Sequence, residues 1–214
     1  MRFHEFEDVC FGEYTNKKIA LCDNEKKAIK FQLPRMYMPF GITAFVPKSG
    51  PTKWNIDFAM KGWNEEDGYI QKFYLFLKRI ETDVIEHVYE KRQEIFGSDL
   101  SLDEIRSMFN SNIKEAANGY EPKFRVKADT YPDGQLKFKV FDRNKEDVTQ
   151  VATDKLYSRN SGIAVIELNS VYFMNRMFGL VWRINQLQVF EPQRLQEFQI
   201  VMPTPDCDAS ERSF

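Results

Sequence analysis

The chain has little of what most catalytic sites require. It holds two histidines, His4 and His87, and three cysteines, Cys10, Cys22 and Cys207. No two cysteines fall in a CxxC pair, so the common zinc and thioredoxin-type spacings are missing. A sparse, odd cysteine set reads as reduced thiols in an intracellular protein. There is no Gly-rich phosphate loop, no HExxH and no GxSxG, which removes the usual signatures of nucleotide binding, zinc proteolysis and serine hydrolysis. His87 lies on the apolar side of a helical segment, one turn after Asp83. With no second mid-chain histidine, it reads as a partly buried side chain rather than a base or a ligand. No stretch approaches the ~18 apolar residues of a membrane helix, and the charged start MRFHEFEDVC has no signal-like apolar run. The expectation is a soluble intracellular protein that is not an enzyme, with no cofactor, no metal and no membrane partner.

What the chain does have is aromatic residues, 14% of 214, and a hydrophobic share of 43% that can fill a sizeable core. They fall into three zones. Up to about Trp63, the segments KAIKFQLPRMYM, ITAFV and WNIDFAM read as strands separated by PFG and PKSGP. In the last, Trp54, Ile56 and Phe58 alternate against Asn55, Asp57 and Ala59. The second zone is helical: Ile70, Phe73, Leu77, Ile80, Val84 and Val88 recur at spacings of three and four, which predicts one apolar stripe along a long helix. Gly97 is a plausible stop, and Ser101 with Glu104 predicts a capping box for a short second helix. The third zone returns to alternation, in PKFRVKAD, LKFKVFD, GIAVIELNSVYFM and FGLVWRINQLQVF.

Net charge is −2, which by itself carries no nucleic-acid signal, but its distribution is uneven. Residues 1–63 carry 10 basic and 7 acidic side chains, residues 64–119 carry 7 and 12, residues 120–190 carry 11 and 8, and residues 191–214 carry 2 and 5. Basic charge gathers in the strand zones. Lys123, Arg125 and Lys127 alternate, so they leave one side of one strand. Lys137 and Lys139 do the same on the next segment, and the turn TYPDGQ joins the two as a hairpin with a basic face. Like charges across a strand pair repel unless an anion neutralises them; the same lysines would equally serve to guard an exposed edge strand. Aromatics interleave with this charge: Tyr37, Phe40 and Trp54, then Tyr172, Phe173, Phe178 and Trp182. Cations for a backbone and flat faces for unpaired bases are what a single-stranded nucleic-acid groove needs. Tyr172, Phe178 and Trp54 lie near turns or strand ends and are the candidate stacking residues. Lys123, Arg125, Lys127, Lys137, Lys139, Arg176 and Arg183 are the candidate phosphate contacts. Replacing Arg125 and Lys127 by alanine is expected to weaken binding without unfolding the protein. Trp182 shares a face with Leu180 and Ile184 and is expected inside.

The segment LNSVYFMNRMFGLVWRINQLQVF, with Tyr172, Phe173, Phe178, Gly179, Trp182 and Gln186, resembles the closing strands of single-stranded DNA-binding proteins of nucleocytoplasmic large DNA viruses. That family is similar to the replication protein of short-tailed, T-seven-type bacteriophage. The resemblance implies a mainly β OB-fold, a Greek-key barrel over residues 1–190. A helical insertion at about 68–110 would fall between the third and fourth strands, and residues 191–214 would form a C-terminal extension and tail. It implies sequence-nonspecific binding of single-stranded DNA in support of viral DNA replication, recombination or repair, at the replication site of an infected cell. It also implies a tail, here Asp206, Asp208, Glu211 and Phe214, that contacts replication proteins such as a polymerase or helicase-primase, and it leaves a homodimer open. A different class, a protein–protein module without DNA contact, fits the same composition.

Overall fold

The computed structural model describes residues 3, 6, 8–115 and 119–192. Before the helices, the described residues form β1 (Cys10–Thr15), β2 (Lys18–Cys22), β3 (Ile29–Gln32), β4 (Met36–Met38), β5 (Ile42–Phe45) and β6 (Lys53–Ala59). Then come α1 (Tyr69–Glu90), α2 (Arg92–Phe96) and α3 (Leu102–Met108). The chain closes with β7 (Ile113–Lys114), β8 (Lys123–Lys127), β9 (Lys139–Phe141), β10 (Asn160–Met174) and β11 (Met177–Phe190).

Pairing turns these strands into a barrel. β10 lies antiparallel to β4, β4 to β6 and β6 to β8; β8 runs parallel to β11, and β11 antiparallel to β10. In chain order the ring reads first, second, third, fifth, fourth and back to the first, with one parallel pair between third and fifth. That is the OB-fold connectivity, a five-stranded Greek-key barrel. The helices enter between β6 and β8, the second and third barrel strands, where the sequence order had suggested the third and fourth. The reason is β5: it reads as a strand, but among the described residues it pairs only with β6 and stands outside the ring. Among the same residues β3 pairs only with β10 and β7 only with β8.

Alternation decides what fills the barrel. On β11, Leu180, Trp182 and Ile184 point inward, and Val181, Arg183 and Asn185 lie on the partly exposed face. A register shift opposite Val165 and Ile166 then changes the phase, so that Leu187 and Val189 return to the core. One extra residue in a strand does this without ending the ladder. Trp182, 2% exposed, meets Phe124 at 5.6 Å and Phe31 at 6.2 Å between ring centroids. Burying a side chain of this size is worth several times the ~0.8 kcal/mol of a single methylene.

α1 presents Phe73, Phe76, Leu77, Ile80, Val84 and Val88 to the barrel. The periodic segment does not run unbroken to Gly97: Lys91 turns out of helical geometry, and α2 continues to a left-handed Gly97 at φ 68°. The capping box forms as its residues predict, with the Glu104 N–H donating to Ser101 Oγ and the Ser101 N–H to the Glu104 carboxylate. His87 packs its ring flat on Phe11 at 4.0 Å, joining β1 to the helix. Cys10 and Cys22 are free thiols on directly opposed residues of β1 and β2.

Glu81 is the one buried carboxylate of α1, accepting a hydrogen bond from Ser111 Oγ at 2.6 Å. Burial raises its pKa above 4.5, against the opposing pull of that bond and of Lys78. A carboxyl with a raised folded pKa holds extra protons in the native state, so its contribution to stability falls as pH rises from about 4.5 through the raised value. Glu81→Gln keeps the acceptor oxygen and removes the buried charge. It is expected to be more stable than the parent at pH 7, with the difference vanishing below pH ~4; urea unfolding at the two pH values checks this.

Candidate nucleic-acid interface

On β8 the core takes Phe124 and Val126, each 0% exposed, and Lys123, Arg125 and Lys127 are left on the outer face. β6 presents Ala59, Asp57 and Asn55 directly opposite them. Where β5 leans out from β6, a groove of about 380 Å³ opens over this face, lined by Phe40, Thr43, Phe45, Lys114, Lys123 and Arg125 among others. The outer face of the second and third strands is where OB-folds bind oligonucleotides.

The charges of the face are partly matched within the protein. Arg125 grips Asp57 with two hydrogen bonds, Nε to Oδ1 at 2.7 Å and Nη2 to Oδ2 at 2.8 Å. Asp57 is only 2% exposed, so this pair anchors β8 to β6 as well as charging the groove. Lys127 Nζ lies 2.7 Å from Asp129 Oδ1, and Arg183, opposite Lys127 in the parallel pairing, places Nε 3.2 Å from Asp129 Oδ2. That Nε–H is not aimed at the carboxylate and makes no hydrogen bond. Lys123 has no carboxylate partner among the described residues; it sits 5.0 Å over the Phe40 ring. Lys114 donates to Asn110 Oδ1 at 3.0 Å, and burial, aided by the charge of Arg125, lowers its pKa. A phosphate beside it would favour its charged form.

The remaining candidates scatter. The turn at TYPDGQ forms, with the Gly134 N–H donating to Tyr131 O, yet β8 and β9 do not pair. Both lie parallel to β11 instead, one after the other, β8 at Arg183 and β9 at Gln186 to Gln188. The expected two-strand basic face is therefore not built. Lys137 stands over the Tyr131 ring, and Lys139 is ion-paired to Asp147 at 2.7 Å. Arg176 occupies the tip of the β10–β11 hairpin with φ 62°. At ~3.3 Å per residue it is roughly 23 Å along the strand from Arg183.

The proposed stacking residues fare differently from one another. Phe178 is 0% exposed, stacked on Phe173 and tilted against Phe109, so no base can reach it. Trp54 shares the inward face of Ile56 and Phe58 and packs against the core from the strand end. Tyr172 is half-buried, and its hydroxyl accepts a hydrogen bond from Asn110 Nδ2 at 2.9 Å. A side chain at Gly179 would meet Asn110 O at 2.8 Å and the Tyr172 ring at 3.0 Å, so the glycine is what lets these two close over β11. Tyr172→Phe is expected to cost about 0.5–1.5 kcal/mol in urea unfolding, the net worth of one hydrogen bond. Asp206, Asp208, Glu211 and Phe214 lie outside the described residues.

The face also holds aromatics that strand pattern did not single out as contacts. Phe40 is 46% and Phe45 57% exposed. Phe45 ends β5 immediately before VPKSG, and a large ring at a strand end beside a turn was the available signal. Nothing in the local pattern separated it from a core phenylalanine.

A family model, described as a family of unknown function (DUF5871), matches residues 71–200. The chain belongs to this family. The matched region of this DUF5871 member begins in α1 and takes in both β8 and the long β10–β11 hairpin. No curated protein matches the sequence. Among solved structures, it is similar to the single-stranded DNA-binding protein from bacteriophage Enc34 in complex with ssDNA, at 10% identity and a TM-score of 0.47, covering 89% of this chain and 99% of that one. It is also similar to gp2.5, a single-stranded DNA-binding protein encoded by bacteriophage T7, at 10% identity and a TM-score of 0.46, covering 87% of this chain and 98% of that one.

Proposed function

We propose that this protein binds single-stranded DNA without sequence preference across the outer face of β6 and β8. One observation carries the reading: an open groove on the second and third barrel strands in which Lys114, Lys123 and Arg125 stand beside the exposed rings of Phe40 and Phe45. The cations follow a phosphate backbone and the rings offer faces to bases, each engaged base contributing ~1–3 kcal/mol. A duplex keeps its bases stacked and inaccessible to such rings, so the groove selects single strands. The role is support of viral DNA replication, recombination or repair, in keeping with the resemblance of the closing strands to single-stranded DNA-binding proteins of nucleocytoplasmic large DNA viruses.

A second reading, a module that docks a protein partner, is favoured by Asp57 and Asp129, which already neutralise Arg125 and Lys127. Fluorescence anisotropy with oligo-dT across a salt series, with a duplex control, separates the two. Single-strand binding that falls with salt through counterion release supports the first reading. Absence of oligo-dT binding at low salt sinks it. Trp182 is enclosed in the barrel, so quenching of tryptophan emission on binding would have to come from Trp54 or Trp63.

A further inference from the structure

The register of the barrel lines up one outward residue from each of its five strands. Lys123 on β8 faces Ala59 on β6, and Ala59 faces Tyr37 on β4. Tyr37 in turn faces Ser161 on β10, and Ser161 faces Phe190 on β11. The row crosses the strands at right angles and spans four inter-strand steps, roughly 19 Å along the barrel surface. Its two ends have the same construction. At one, Lys123 sits over Phe40; at the other, the Arg35 guanidinium lies 4.2 Å over the Phe190 ring. Neither cation has a carboxylate partner among the described residues, unlike Arg125, Lys127 and Arg183. Between the ends, Tyr37 is 44% exposed, and its cross-strand neighbours are the small residues Ala59, itself buried, and Ser161.

We propose that Arg35, Tyr37 and Phe190 form a second nucleic-acid subsite, which takes the continuation of the strand bound at the β6–β8 groove. This rests on the single-strand-binding reading above and extends it to the other side of the barrel. The chemistry matches an extended polynucleotide. Tyr37 offers its exposed ring to a base, and Arg35, 4.2 Å over the Phe190 ring, keeps its charge for a phosphate. A strand crossing the row meets cations near both ends and a ring in the middle.

The test compares two oligo-dT lengths, about 5 and about 20 nucleotides, one near the lower end and one beyond the upper end of the roughly 4–16 nucleotides an OB-fold covers. Arg35→Ala, Tyr37→Ala and Phe190→Leu are measured by anisotropy at low salt, each with a urea midpoint to establish that it is folded. The inference expects Tyr37→Ala to bind the longer oligonucleotide roughly 5- to 160-fold more weakly than the parent. Arg35→Ala should lower the salt slope by about 0.7. Both should bind the shorter one as the parent does. Parent-like affinity of Arg35→Ala and Tyr37→Ala for the longer oligonucleotide overturns the second subsite while leaving the groove reading intact. A parent protein that binds neither length overturns both. Phe190→Leu keeps an apolar side chain under Arg35 and removes the ring, so a weakening shared with Arg35→Ala assigns the effect to the stacked pair.

Discussion

Lys123→Ala combined with Lys127→Ala is expected to lower affinity for oligo-dT about ten- to a hundred-fold at low salt. It is also expected to flatten the plot of log K against log salt by about 1.4, from about 0.7 for each single-strand phosphate that no longer meets a lysine. The two lysines leave the same face of β8 and bracket Arg125. Neither holds the fold together. Lys123 rests on Phe40, and removing Lys127 leaves Asp129 beside Arg183. Half-exposed pairs of this kind contribute ~0–1 kcal/mol to stability. The urea midpoint should therefore stay near that of the parent while binding falls. An unchanged salt slope would place the phosphates on another surface.

Arg125→Ala should behave in the opposite way, losing about 3 kcal/mol of stability and roughly 6–12 °C of Tm. The cause is Asp57, whose side chain is 3% exposed and whose one ion pair among the described residues is with Arg125. Removing the guanidinium leaves a carboxylate in the sheet without its two charge-assisted donors. Because Arg125 itself is 42% exposed, the destabilisation falls at the lower end of what breaking a fully enclosed pair costs. The double variant Asp57→Ala, Arg125→Ala should recover most of it, since no orphaned charge remains; thermal and urea unfolding of the single and double variants measures the coupling. The expectation drawn from alternation, that Arg125 and Lys127 could be removed together without unfolding, is accordingly revised for Arg125, which is paired to the buried Asp57. Any weakening of binding in Arg125→Ala has to be read at a temperature well below its own transition.

Local pattern was a reliable guide wherever the decisive contacts are local. The alternation of β8, the apolar stripe of α1, the Ser101–Glu104 box, the Gly97 stop and the turn at TYPDGQ are all set by residues within a few positions of each other. The inward turn of Trp182 was legible because Leu180 and Ile184 flank it at the strand period. The helical insert was legible too, but its place in the barrel order was not. ITAF has the composition of a ring strand, and only its pairing with β6 alone takes it out of the count. The same limit applied to the basic hairpin. Two alternating segments joined by a good turn would ordinarily pair, but β11 offers each a parallel partner, and the barrel closes only if β8 takes it.

Composition and periodicity by themselves determined that this chain is mainly β with a helical insertion, that the outward positions of β8 are cationic, and that aromatic side chains outnumber what a few strands display. Tertiary structure alone decided which of those charges are spent on Asp57 and Asp129. It also decided that Phe178 is enclosed while Phe40 and Phe45 are open, and that Tyr37, Phe190 and Lys123 fall on one row. The physical reason is the same in each case. A residue's face follows from its neighbours in sequence, at a period of two, but its cross-strand partner follows from strand register, which joins positions far apart in sequence, 68 residues for Asp57 and Arg125.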